Sequence, residues 1–212
     1  MSESGPIVHI VDEDREVRDS IKLLFEAHAI PVTVYPRAES FLQDYGRQAR
    51  GCLLLDVSLP GMDGLQLQSE LVAIDSLLPV IFLSGHADVP VAVRALKSGA
   101  YDFLQKPCNA DTLLRVVREA LNFNASKIEE LRKRQSIEKR LRKLTPREVE
   151  VLNYITDGCP NKVIALELNL SQRTVESYRT NVMQKMRVYS LAHLVKLMAD
   201  LPRDRDARWA RR

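Results

Sequence analysis

The chain has 212 residues, enough for one medium domain and one small one. Its 45% hydrophobic and 28% charged residues are ordinary for folded domains, and no stretch approaches the roughly 20 apolar residues of a membrane helix. Met1–Pro6 is polar and Ile7–Val11 is too short for a secretory signal, so a cytoplasmic protein without a membrane partner is expected.

The net charge of +3 conceals a division. Residues 1–120 carry 11 Lys and Arg against 17 Asp and Glu, whereas residues 121–212 carry 20 against 11. The C-terminal part is therefore suited to a polyanion. Cys52, Cys108 and Cys159 lack metal-ligand spacing and read as reduced structural thiols.

Short β-branched runs at Ile7–Val11, Val32–Tyr35, Cys52–Asp56, Val80–Ser84 and Tyr101–Gln105 alternate with helix-length segments. Such alternation calls for right-handed crossovers, and so for an α/β fold with a five-stranded parallel sheet covered on both faces. Leu53–Leu55 and Val80–Leu83 are continuous apolar runs, as strands buried on both faces require. Neither Gly nor Pro occurs from Asn109 to Thr145. A helix starting near Asp111 can thus run for about 34 residues, or roughly 50 Å. Val117, Leu121, Ile128, Leu131 and Leu141 form an apolar seam that Asn124, Gln135 and Glu138 interrupt, predicting a weak coiled coil or a solvated connector.

Thr145, Pro146 and Glu148 supply a cap, a first-turn proline and a capping box for a further helix. Helical segments follow at Asn161–Leu168, Gln172–Met186 and Leu191–Leu201. The tail Pro202–Arg212 alternates Arg and Asp around Trp209 and is expected to be disordered. The domains expected are 1–121, a linker over 122–143, a small all-α domain over 144–201, and a tail over 202–212.

In an open parallel sheet, ligands bind beyond the carboxyl ends of the strands. The residues delivered there are Asp12 and Glu13 after the first strand, Asp56 on the third, Ser84 on the fourth and Lys106 after the fifth. An oxygen nucleophile, carboxylates for a hard cation and donors for phosphoryl oxygens are what phosphoryl transfer needs. Each alone has a structural explanation, such as Asp12 or Asp14 capping the first helix, but their convergence points to chemistry.

In Gln172–Met186, Val175, Tyr178, Val182 and Met186 recur at helical spacing, while Arg173, Glu176, Ser177, Thr180 and Gln184 fall opposite. One face can pack while the other meets a DNA groove. Arg179, Lys185 and Arg187 flank the polar face and suit phosphate contacts.

Residues Ile10–Asp14, Leu55–Gly64, Ser84–His86 and Phe103–Pro107 resemble the motifs of two-component receiver domains in order and spacing. Leu144–Glu148, Gly158, Asn161–Ala165, Leu168, Ser171, Thr174–Val175 and Lys185–Met186 resemble the LuxR-type helix-turn-helix, most nearly its FixJ subgroup. The resemblance implies a doubly wound, flavodoxin-like receiver joined by a helical linker to a DNA-binding domain. It further implies phosphorylation of Asp56 by a sensor histidine kinase, and Mg²⁺ held by Asp12, Glu13, Asp56 and the Ser58 carbonyl. Ser84 and Lys106 would bind the phosphoryl group, with Phe103 as a switch aromatic. Receivers usually carry Asp where Glu13 stands, and the longer side chain moves that carboxylate outward.

The expected DNA contacts are Asn161, Lys162, Arg173, Glu176, Ser177, Arg179, Thr180 and Lys185, with Glu176, Ser177 and Thr180 reading bases and Lys162, Arg179 and Lys185 meeting phosphates. Relatives often have Lys and His where this chain has Glu176 and Tyr178, so base preference does not carry over. The whole reads as a transcription factor that binds double-stranded promoter DNA as a homodimer on phosphorylation, with RNA polymerase as a further partner and no enzymatic turnover beyond Asp56. Dimerisation is expected through the helix Asp88–Ser98 and the fifth strand, with Val91, Leu96 and Tyr101 as contacts. An aspartyl-phosphate phosphatase and a phosphorylation-switched protein-interaction module are the other readings.

Overall fold

The computed structural model describes residues 5–46, 49–85 and 89–201. His86, Asp88 and the tail with Trp209 lie outside the described residues. The chain divides into two compact units, Met1–Glu129 and Glu130–Arg212.

The first unit runs β1 (Ile7–Val11), α1 (Arg15–Ala27), β2 (Val32–Tyr35), α2 (Ala38–Asp44), β3 (Gly51–Asp56), α3 (Gly64–Ala73), β4 (Val80–Ser84), α4 (Val89–Lys97), β5 (Asp102–Gln105) and the start of α5 (Ala110–Leu141). All strand pairs are parallel, in the order β2-β1-β3-β4-β5. The winding reverses between β1 and β3, and in open α/β sheets ligands bind at the strand ends beside such a reversal.

Alternation along the strands fills both faces. Leu54, with Val8, Ile10, Cys52, Ile81 and Leu83, packs against Phe25 of α1 and Leu113, Val116 and Val117 of α5. Leu53, Leu55 and Phe82 turn the other way, onto Phe41 of α2, Leu67 and Leu71 of α3 and Ala95 of α4. The continuous apolar runs are the consequence, since no position on β3 or β4 faces water. Tyr101 falls just outside β5; its amide donates to the Val80 carbonyl at 2.7 Å and its ring meets Phe123 at 5.3 Å.

Helix α5 spans 32 residues, about 48 Å at 1.5 Å per residue. Near its middle Asn124 is 1% exposed. Its Oδ1 accepts from the Gly51 amide at 2.9 Å and its Nδ2 donates to the Leu77 carbonyl at 2.7 Å. The residue that interrupts the apolar seam thus fastens the helix across the amino end of β3 and the chain entering β4. At the far end, Ile137 and Leu141 are buried in the core of the second unit. Within residues 122–143, Asn124 is thus bonded to the first unit, and Ile137 and Leu141 belong to the core of the second.

The second unit continues with α6 (Pro146–Thr156), α7 (Asn161–Glu167), α8 (Gln172–Met186) and α9 (Leu191–Ala199). Its core gathers Val151, Leu152 and Ile155 of α6, Ile164 of α7, Val175, Val182 and Met186 of α8 and Leu194 of α9. The capping box forms as expected: the Thr145 hydroxyl accepts from the Glu148 amide, the Glu148 carboxylate accepts from the Thr145 amide, and Pro146 opens the helix. Among the described residues no helix is long and apolar enough to cross a membrane.

Candidate functional site

The carboxyl ends of β1, β3 and β4 bring Asp12, Asp56 and Ser84 together, all buried. Lys106 follows β5, its amide donating to the Ser84 carbonyl at 2.8 Å, and the peptide bond from it to Pro107 is cis. Its ammonium donates to Asp12 Oδ2 at 2.5 Å and to Asp56 Oδ2 at 2.6 Å. The second oxygens are held locally: Asp12 Oδ1 accepts from the Asp14 amide at 2.9 Å, and Asp56 Oδ1 from the Ser58 amide at 3.0 Å. Gly64 lies so close behind Asp56 that an added Cβ would stand 2.2 Å from the Asp56 carbonyl oxygen.

Capping of α1 falls to Asp14, which accepts from the Glu16 and Val17 amides. Asp12 is thereby left for the site. Burial pushes the Asp12 carboxyl above its usual range, and Lys106 and the Asp14 amide recover only part of the shift. Burial also disfavours the Lys106 ammonium, yet its bonds to Asp12 and Asp56 outweigh that and hold it above the usual lysine value. Two carboxylates share one ammonium, so the cluster has a deficit of positive charge that a hard cation would relieve.

Among the described residues no three carboxylate, imidazole or thiolate groups converge to hold an ion by themselves. Glu13 is exposed, whereas Asp12 and Asp56 are buried. Arg18 of α1, which the motifs do not mark, donates from Nη1 to the main-chain carbonyls of Asp12 at 2.6 Å and Glu13 at 2.9 Å, pinning the turn that carries both acids. Phe103 is half-buried, its ring 6.1 Å from that of Phe82 on the neighbouring strand.

In the second unit, Arg173, Glu176, Ser177, Thr180 and Gln184 of α8 are exposed while Val175, Val182 and Met186 are buried. The Ser177 and Thr180 hydroxyls donate to the Arg173 and Glu176 carbonyls at 3.1 and 3.0 Å, which leaves them acceptors toward a ligand. Lys162 is exposed, and Asn161 and Arg179 are half-buried.

Lys185 is placed differently from the other basic residues. Its ammonium binds both oxygens of Glu148, at 2.8 and 2.6 Å, and Glu148 is only 3% exposed. Arg140, from the end of α5, donates to the Met186 carbonyl at 3.1 Å and so caps α8. Neither partnership is marked by local sequence, since the pairs lie 37 and 46 residues apart.

Residues 8–118 match the family model for the response regulator receiver domain, and residues 142–198 match that for bacterial regulatory proteins of the luxR family. Transcriptional regulatory protein FixJ of Azorhizobium caulinodans is 42% identical over 197 residues, 93% of each chain. Response regulator protein TmoT of Ectopseudomonas mendocina is 38% identical over 197 residues, 93% of this chain and 90% of its own. Among solved structures, response regulator StyR is similar with a TM-score of 0.86 and 37% identity, covering 93% of this chain and 100% of that one. Full-length FixJ of B. japonicum has a TM-score of 0.58 at 37% identity, covering 92% and 96%. The two family models in sequence, and relatives matched over nearly the whole chain, show that the chain belongs to the response regulator transcription factors of the LuxR/FixJ type.

Proposed function

We propose that Asp56 is the phosphoacceptor and that its phosphorylation controls DNA binding by the second unit. The carrying observation is a difference between two acids on one lysine: the Asp56 side chain is 12% exposed and that of Asp12 only 1%. Asp56 is the carboxylate that an incoming phosphoryl group can reach. A carboxylate oxygen of Asp56 attacks phosphorus, the bond to the histidine nitrogen of a sensor kinase breaks, and the electron pair stays on that nitrogen.

Asp12, Asp56 and the Ser58 carbonyl are the groups that would hold Mg²⁺, which needs only one or two carboxylates beside water and phosphoryl oxygens. Bound there, the ion would neutralise charge on the transferring group. Lys106 then exchanges Asp56 for a phosphoryl oxygen while remaining paired with Asp12. Ser84 offers a hydroxyl to the same group, and Phe103 follows into the space that Ser84 leaves.

On α4, Val89, Val93 and Leu96 are 71%, 44% and 46% exposed at helical spacing, an apolar stripe suited to a second copy of the phosphorylated chain. Of the contacts expected from sequence, Leu96 lies on this stripe, while Val91 and Tyr101 are half-buried, the Tyr101 ring beside that of Phe123. A dimer presents two copies of α8 to promoter DNA, with Arg173, Glu176, Ser177 and Thr180 at the bases and Asn161, Lys162 and Arg179 toward phosphates. The protein acts in the cytoplasm, where DNA and RNA polymerase are its partners.

Intact-mass measurement after incubation with acetyl phosphate and Mg²⁺ tests the phosphoacceptor. One added phosphoryl group is expected in wild type and none in Asp56→Asn; unchanged labelling of the variant would refute the assignment.

A further inference from the structure

The loop Val57–Asp63 leaves β3 directly after Asp56 and carries Ser58. Its ends are fixed by its own neighbours. The Ser58 amide donates to Asp56, the Gly64 amide donates to the Val57 carbonyl at 3.0 Å, and Asp63 forms a capping box with Gln66 at the start of α3. The middle, Pro60-Gly61-Met62, has no such local partner, and Gly61 sits there at φ +82°.

What meets it is Glu39, from the first turn of α2 and 23 residues earlier in sequence. Glu39 Oε1 accepts from the Met62 amide at 3.0 Å. The carboxylate lies so near the loop that a Cβ on Gly61 would stand 2.7 Å from the same oxygen. Among the described residues, no other side chain from beyond β3 and α3 hydrogen-bonds to this loop. Oε2 is buried without a hydrogen-bond partner.

We propose that Glu39 is a positioning residue for phosphoryl transfer: by fastening the Met62 amide it fixes the β3–α3 loop, and with it the Ser58 amide and carbonyl beside Asp56. The inference rests on the reading of Asp56 as phosphoacceptor. Main-chain groups act at the site only where the loop holds them, and a displaced Ser58 loses both its bond to Asp56 and its place as an oxygen ligand. Glu39 itself touches no reacting atom.

The test uses the full chain with Glu39→Ala, Glu39→Gln and Glu39→Asp. Three quantities are measured: deuterium uptake by the segment 57–63, the rate of phosphorylation at saturating acetyl phosphate, and Mg²⁺ affinity by calorimetry. Glu39→Ala is expected to raise uptake in the segment and to lower both the saturating rate and the Mg²⁺ affinity by about tenfold, as loss of a supporting group beside a metal site does. Glu39→Gln keeps an oxygen at the same reach and is expected to restore all three. Glu39→Asp keeps the charge but falls a methylene short, and should behave as Ala does.

Unchanged uptake in Glu39→Ala, or raised uptake with unchanged rate and Mg²⁺ affinity, would overturn the proposal. So would the reverse order, with Asp matching wild type and Gln matching Ala, because charge and not placement would then be at work. Should Glu39→Ala fail to fold, the Gln and Asp pair decides by itself. A wild-type chain that takes no phosphoryl group at Asp56 would defeat the phosphoacceptor reading alone, and deuterium uptake with Mg²⁺ affinity would still decide on Glu39.

Discussion

Replacing Lys185 by Met removes an ammonium but keeps most of the side-chain volume, which separates a structural role from a DNA contact. Glu148 is 3% exposed and loses its only salt-bridge partner among the described residues. Breaking a fully buried pair costs about 3 to 5 kcal/mol. Lys185 is 35% exposed, and the Thr145 amide stays on Glu148 at 2.7 Å, so solvent and the remaining bond reduce the expected loss to about 2 kcal/mol.

The same pair sets a pH dependence. Burial works against the Glu148 charge, but Lys185 and the Thr145 amide outweigh it and hold the carboxyl below the usual glutamate value. Its stabilisation is full above the unfolded-state value, about 4.3, and is lost as pH falls through the depressed folded value. Urea unfolding of the full chain, with hydrogen exchange in α6 and α8 to identify the second unit, measures both effects. Lys185→Met should lower stability by about 2 kcal/mol at pH 7, flatten the acid limb, and leave the salt slope of DNA binding close to that of wild type. Stability within about 0.5 kcal/mol of wild type, with a salt slope reduced by about 1, would show that Lys185 is a phosphate contact and not the partner that stabilises Glu148.

His9 is buried between Tyr35 and Phe41 with Nδ1 unpartnered, and burial lowers its pKa. The first unit should therefore lose stability as pH falls from about 6.5 toward the depressed folded value, a slope that denaturant titration should find absent in His9→Phe. Asn124→Ala strands the Gly51 amide and the Leu77 carbonyl, and calorimetric unfolding should register a loss of about 3 kcal/mol. Glu13→Asp, with its carboxylate drawn toward Asp12, should raise Mg²⁺ affinity by about tenfold, as read by calorimetric titration.

Much of this architecture is legible in the sequence because it depends on local pattern. Val80–Ser84 reads as a strand from its β-branched run, Thr145 and Glu148 announce α6, and Asp12, Asp56, Ser84 and Lys106 converge once the strands are ordered in one parallel sheet. The missed features are partnerships across long separations. Asn124 looks like a fault in an apolar seam until β3 and the chain entering β4 lie beside it. Lys185 looks like one more cation on a DNA-facing helix until α6 delivers Glu148. Arg18, Glu39 and Arg140 act on main-chain groups, which carry no residue-type signal at all.

Phosphorylation of Asp56 is expected to tighten DNA binding. The most direct measurement is the affinity of the full chain, by fluorescence anisotropy at fixed salt, for DNA selected from a random pool. Wild type and Asp56→Asn are each compared with and without acetyl phosphate and Mg²⁺. Wild type should bind about a hundredfold more tightly when phosphorylated, the gain expected from linking two modules, and Asp56→Asn should show no response. Equal affinities for phosphorylated and unphosphorylated wild type, or an undiminished response in Asp56→Asn, would rule out control of DNA binding through Asp56.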